Sequence, residues 1–173
     1  VVVIGRPGRK SEKAAAEIKN RSSLGGSGVD LLTADLSSMK DVERLAGELA
    51  ENFSDLKVLL NNAAVIRRDR RETVDGLEET FAVNYLSHFL LTNRLMPVLK
   101  KNAPARIVNV SSMVHESGHV DFDDLQAERR YDPSFAYDQS KVLMVLFTRE
   151  LARRLEGSGV TANTLHPGVI STK

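Results

Sequence analysis

Tyr137 and Lys141 stand four residues apart within 135–155, a stretch whose apolar spacing predicts a helix, so both side chains project from one face. A phenol alone is a poor proton-transfer partner at neutral pH, because its unperturbed pKa is roughly 10. An ammonium group held beside it favours the phenolate, and bringing a phenol to titrate near neutrality takes roughly 4 kcal/mol. Such a pair suits proton exchange with an alcohol or carbonyl oxygen while a nicotinamide gives or takes hydride. Alone, Tyr-x-x-x-Lys is a weak signal, since a chain with three tyrosines can form it by chance.

The pair needs a third group and a scaffold. Ser111-Ser112 follows the β-branched run 106–110, placing a hydroxyl at a strand's carboxyl end, where open α/β sheets bind ligands. Asn61-Asn62-Ala63-Ala64 ends the preceding strand, predicted over 57–61, and His166-Pro167-Gly168 closes another over 160–165. Asn84 sits in a long helix predicted over 77–100, with Pro97 near its end. Upstream, 1–4 and 29–34 read as strands. Between them lie a helix capped by Ser11 and running to about Lys19, and a flexible loop over 22–28. Ser38 and Asp41 make a capping-box-like start for a helix on which Val42, Leu45, Leu49 and Phe53 share a face. A loop bearing Gly and Asp follows over 113–133. Strands alternating with helices imply βαβ crossovers and a parallel sheet, an α/β chain of one domain or part of one over 1–173.

Composition excludes several function classes. With 173 residues and 42% hydrophobic content the chain can bury a core. Lys plus Arg total 24 against 23 acidic residues, so a net charge of +1 exerts no global pull on nucleic acid. The run Arg67-Arg68-Asp69-Arg70-Arg71 lacks interleaved aromatics and reads as a solvated loop. There is no cysteine, hence no disulfide or thiolate metal site; the compartment is undetermined by sequence, with the cytoplasm favoured. No apolar stretch is long enough to span a membrane.

Taken in order, Asn61-Asn62-Ala63, Asn84, Ser112, Tyr137-x-x-x-Lys141 and Pro167-Gly168 resemble the short-chain dehydrogenase/reductase family over essentially the whole chain. The long interval from Ser112 to Tyr137, with Phe135-Ala136-Tyr137 and 146–151, resembles the subgroup of retinol dehydrogenases and the WW-domain oxidoreductase. The resemblance implies a Rossmann-like doubly wound parallel sheet and an NAD(P)-dependent exchange of alcohol and carbonyl on a small molecule, with a lipophilic one as the subgroup's suggestion. It implies Tyr137 as general acid/base, and Lys141 as holder of the nicotinamide ribose and promoter of the phenolate. Ser112 would hydrogen-bond the substrate oxygen, and Asn84 would support a proton relay through water. Asp35 and Leu36 would line the adenine site, Asn61 and Ala63 would lie beside the adenosine, and Val169 and Thr172 would reach the nicotinamide carboxamide. The helices bearing Asn84 and Tyr137 resemble the family's dimer-forming pair, so a homodimer is an expectation. Plainer readings stand beside these. Asn61 and Asn62 could satisfy backbone groups at a strand end, Asn84 could be a buried helix amide, and Ser112 a strand-end hydroxyl.

In that family the end of the second strand meets the adenosine ribose, where an arginine suits a 2′-phosphate. Gly5-Arg6-Pro7-Gly8-Arg9-Lys10 offers three cations and no acid, which favours NADP(H) over NAD(H), unless the loop is merely solvated. The family's opening strand and Thr-Gly-x-x-x-Gly-x-Gly turn, and its last helices and strand, have no counterpart here, so 1–4 corresponds to the second strand and the sheet is expected to be incomplete. In the order 3-2-1-4-5-6 the absent strand is central. Either its neighbours pair directly or a gap remains, and cofactor binding and turnover by this chain are expected to be weak. A non-catalytic interaction module derived from such an enzyme is the alternative. A sugar-nucleotide epimerase shares Tyr-x-x-x-Lys but not the Asn-Asn-Ala and His-Pro-Gly segments. His115-Glu116-Ser117-Gly118-His119 matches a zinc-protease motif, but its surroundings predict a loop where that chemistry needs a helix.

Overall fold

Each short apolar run becomes a strand: β1 (Val2–Gly5), β2 (Asp30–Thr33), β3 (Val58–Asn61), β4 (Ala105–Val110) and β5 (Val160–Leu165). Between them run α1 (Arg9–Arg21), α2 (Met39–Asn52), α3 (Glu79–Phe81), α4 (Ser87–Lys101) and α5 (Pro133–Arg154). This is a computed structural model, and it describes residues 1–21 and 28–168. The loop expected over 22–28 therefore lies, apart from Gly28, outside the described residues, as do Val169 and Thr172.

Local chemistry sets the helix ends. Ser38 caps α2, its Oγ accepting from the Asp41 N–H at 3.3 Å, as the sequence predicts. Asp132 caps α5 by accepting from the Phe135 N–H at 2.8 Å, with Pro133 in the first turn, where its missing N–H costs nothing. Ser11 does not cap α1. The helix starts two residues earlier, at Arg9, and Ser11 Oγ donates to the Arg6 carbonyl at 2.6 Å from inside the first turn. The helix expected over 77–100 is interrupted, because α3 passes through a π-helical turn, Ala82–Leu86, before α4 begins.

All strand pairs are parallel, but they form two sheets, β1-β2 and β3-β4-β5. Of the two arrangements expected around the absent central strand, the gap is the one found: β1 and β3 do not pair. Packing joins the two pieces instead. Leu59, Ile107 and Ala162 face a core completed by Leu45 and Leu49 of α2 and by Leu91, Leu95 and Leu99 of α4, and Val2, Ile4 and Leu32 pack against the same cluster. The opposite face of β3 is bare, with Val58 and Leu60 each 58% exposed, so this sheet is apolar-packed on one side only. Among the described residues no helix is long and apolar enough to cross a membrane.

Leu95 is fully buried between α2 and the sheet, so Leu95→Ala is expected to cost roughly 2–5 kcal/mol of unfolding free energy. Chemical denaturation measures it. A loss well under 1 kcal/mol would show that the α2–α4 layer does not carry the fold.

Candidate active site

A parallel sheet gathers all its carboxyl ends on one side, and here the segments leaving all five strands line one cavity of about 830 Å³. Arg6 comes from β1, Asp35, Leu36 and Ser37 from β2, Asn62 to Val65 from β3, Ser112 from β4, and His166 to Gly168 from β5, while α5 contributes Tyr137 and Lys141.

Lys141 is 2% exposed, and its Nζ donates to the Val110 carbonyl at 3.1 Å, two residues before Ser112. The same ammonium lies 5.4 Å from the centre of the Tyr137 ring. Burial lowers the Lys141 pKa to about 8, since the desolvated cation is disfavoured. Two hydroxyls fix this turn of α5. Ser111 Oγ donates to the Lys141 carbonyl at 3.0 Å, tying α5 to β4, and Ser140 Oγ donates to the Tyr137 carbonyl at 2.6 Å. Ser140 Oγ in turn accepts from Asn84 Nδ2 at 3.1 Å. The structure thus brings Tyr137, Lys141 and Ser112 to one wall and places Arg6, Asp35, Leu36 and Ala63 on the remainder of the same cavity. The Asp35 carboxylate accepts from the Ser37 N–H at 2.9 Å and its hydroxyl at 2.7 Å, which holds the β2 exit as a tight turn.

Asn61 and Asn84 are not on the wall. Strand alternation turns Leu59 and Asn61 inward, so Asn62 reaches the cavity instead. Asn61 Nδ2 donates to Asn109 Oδ1 at 2.8 Å and to Thr92 Oγ1 at 2.9 Å, and Asn109 Nδ2 donates to Thr148 Oγ1 at 2.8 Å. This buried chain of amides and hydroxyls links α4 to α5 across the sheet, with Asn61 Oδ1 left without a partner among the described residues. Asn84, in the π-helical turn, accepts from the Val65 N–H at 2.7 Å and donates to the Val65 carbonyl at 2.9 Å, so it backs the loop that lines the cavity.

Sequence reasoning missed three features. Arg67 is only partly solvated: its Nε donates to Glu79 Oε2 at 2.8 Å and its Nη2 contacts the other carboxylate oxygen, and both residues line the cavity. Arg70 likewise donates to the Gln126 carbonyl at 3.1 Å, fastening the loop before α3 to the long segment before α5. His88 is 3% exposed, and burial, with the Lys141 charge added, holds its pKa at about 4 against its bond to Ala63. Only the first two residues of the His-Glu-x-x-His match lie in a 3₁₀ turn, Met113–Glu116, and its imidazoles part company: His115 contacts the Ser112 carbonyl and His119 packs on Phe135 at 4.9 Å. Among the described residues no three His, Cys, Asp or Glu side chains gather as a metal site.

The pattern for short chain dehydrogenases matches residues 1–173, and the chain belongs to that family. Human retinol dehydrogenase 13 is 45% identical over 174 residues, covering 100% of this chain and 52% of that protein. Human retinol dehydrogenase 12 is 48% identical over 165 residues, covering 95% of this chain and 51% of that protein. The chain therefore spans about half the length of the curated relatives it matches. Among solved structures, an uncharacterized protein from Mycobacterium paratuberculosis superposes with a TM-score of 0.77 at 34% identity, covering 99% of this chain and 69% of that one. The Pseudomonas aeruginosa RhlG/NADP active-site complex gives 0.76 at 25% identity, covering 99% of this chain and 63% of that one.

Proposed function

We propose that this chain carries the catalytic end of an NADP(H)-dependent oxidoreductase that interconverts an alcohol and a carbonyl. The supporting observation is that Tyr137, Lys141 and Ser112 share a cavity with Arg6, so proton-transfer groups and a cation suited to a phosphate line the same space. The donor set fits a dinucleotide: a guanidinium for a 2′-phosphate, a polar turn at Asp35, and small residues Ala63 and Ala64 that let a planar group approach. When bound, the nicotinamide supplies or accepts the hydride. Ser112 Oγ hydrogen-bonds the substrate oxygen. Tyr137 gives its phenolic proton to that oxygen in reduction and takes one from it in oxidation. The Lys141 ammonium, anchored on the Val110 carbonyl, stabilises the negative charge that the phenol develops.

The gap between β1 and β3 leaves the middle of the sheet open, so this span alone binds the dinucleotide weakly and turns over slowly. Phe89 and Leu146, exposed on α4 and α5, support pairing of two chains through those helices. Phe89 belongs to an aromatic group in which Phe89 and Phe147 lie 5.1 Å apart. The open strand edges favour one second reading, an interaction module without catalysis.

Fluorescence or NMR titration with NADPH and NADH separates the two. The enzyme reading expects NADPH to bind about tenfold or more tightly than NADH, and Arg6→Ala to remove most of that preference. Equal affinities would sink the NADP(H) assignment, and no affinity for either dinucleotide would favour the interaction module.

A further inference from the structure

Asn84 and His88 lie one helical turn apart, where the π-helical turn passes into α4, and both reach the same strip of chain. Asn84 holds both backbone groups of Val65, and His88 Nε2 lies 2.8 Å from the Ala63 carbonyl. Both side chains are buried, at 1% and 3% exposure, and neither lines the cavity. The strip they hold continues β3 and lines the cavity from Asn62 to Val65. In extended chain the backbone groups of successive residues point to opposite sides. The Ala63 carbonyl and both backbone groups of Val65 are thereby taken up by the helix side chains. Ala64 has no backbone partner among the described residues, which leaves both of its groups available to a ligand.

We infer that His88 is a positioning residue for cofactor binding: as a neutral imidazole donating from Nε2, it fixes the Ala63 carbonyl and so presents the Asn62 and Ala64 backbone to the dinucleotide. This rests on the dinucleotide reading above. A carbonyl only accepts, so Nε2 must carry the proton and Nδ1 must not. Burial and the nearby Lys141 charge both oppose a second proton, keeping the ring neutral across the physiological range. Asn84 grips Val65 through two bonds, whereas Ala63 depends on His88 alone among the described side chains. Loss of the imidazole therefore leaves the strip held by Asn84 alone, so opening of the whole loop, the Val65 amide included, becomes easier.

Three measurements on the protein test this. Nitrogen NMR of the imidazoles should show His88 as the Nε2–H tautomer; an Nδ1–H tautomer or a charged ring at neutral pH overturns the inference. His88→Phe keeps a planar ring, though a larger one, and removes the donor; His88→Leu, nearer in volume, should act alike. His88→Phe should accelerate hydrogen exchange of the Val65 amide and raise the NADPH dissociation constant, each by roughly tenfold. His88→Gln keeps an N–H donor of similar reach and should restore most of both, a rescue that a mere space-filling role would not produce. Wild-type affinity and exchange in His88→Phe, or a Gln variant no better than Phe, overturns the inference. If the unsubstituted chain shows no affinity for NADPH, the dinucleotide reading is what fails. The tautomer and Val65 exchange, both read without ligand, then decide whether His88 sets this loop.

Discussion

Tyr137→Phe lowers turnover by roughly 10²–10⁴, the usual worth of a positioned proton-transfer group, while NADPH affinity and folding stability change little. The structure supplies the reason for that separation. Tyr137 is held by its main-chain carbonyl, which accepts from Ser140 Oγ, and by its ring, which lies against the Lys141 ammonium. Removing one oxygen disturbs neither. Because this span alone is expected to be slow, turnover is best read in a chimera in which it replaces the matching half of human retinol dehydrogenase 13, where the aligned identity is 45%. A carbonyl substrate with NADPH, followed at 340 nm in the usual way for a reduced nicotinamide, gives kcat and KM separately. A loss confined to KM, or none at all, would remove Tyr137 from the reaction.

The parts of this molecule that were readable from sequence are those fixed by short-range chemistry. Five apolar runs became five parallel strands, Ser38 became the cap of α2, and the helix carrying Tyr137 and Lys141 presented both to one cavity. The features that escaped depend on parity or on distance. Whether Asn61 or Asn62 faces the cavity turns on a one-residue phase of β3, which neighbouring asparagines cannot reveal. The π-helical turn at 82–86 differs from an α-helix by one residue in a hydrogen-bond ring, below what apolar periodicity resolves over so short a stretch. Arg67 finds its carboxylate twelve residues on, at Glu79, after the chain has turned, so its surroundings in sequence look solvated. His88 gives no signal of its own, since a lone histidine on an apolar helical face reads the same whether it holds a loop or fills space. The gap between β1 and β3 was legible as one of two outcomes. The choice between them depended on α2 and α4 packing both sheets against a common core without any strand to bridge them.

Lys141→Met is expected to abolish turnover in the same chimera, by at least about 10²-fold, and yet to stabilise the folded chain near neutral pH. The lysine is buried, and its folded pKa of about 8 lies below the ordinary 10.5. Folding must therefore desolvate a cation at pH 7, which costs roughly 3 kcal/mol at 1.36 kcal/mol per pKa unit. Methionine has a similar length and no charge, but it forfeits the bond from Nζ to the Val110 carbonyl, worth on the order of 1 kcal/mol. The net expectation at pH 7 is a gain of roughly 1–2 kcal/mol. The sign with pH follows from proton counting. Between about 8 and 10.5 the unfolded lysine holds more protons than the folded one, so wild-type stability from this group rises through that window and the advantage of the variant shrinks. Below about 8 both states are protonated and the advantage is constant. Denaturation from pH 7 to 10, with and without Lys141→Met in a Tyr137→Phe background, tests the pair of claims, since the neighbouring phenol is then removed and groups remote from Lys141 cancel in the difference. A Lys141→Met chain less stable than its lysine counterpart at pH 7, or a difference that does not narrow as pH rises, would mean that the ammonium is not held at a cost. The fold would then not be storing in Lys141 the electrostatic stabilisation that the reaction at Tyr137 requires.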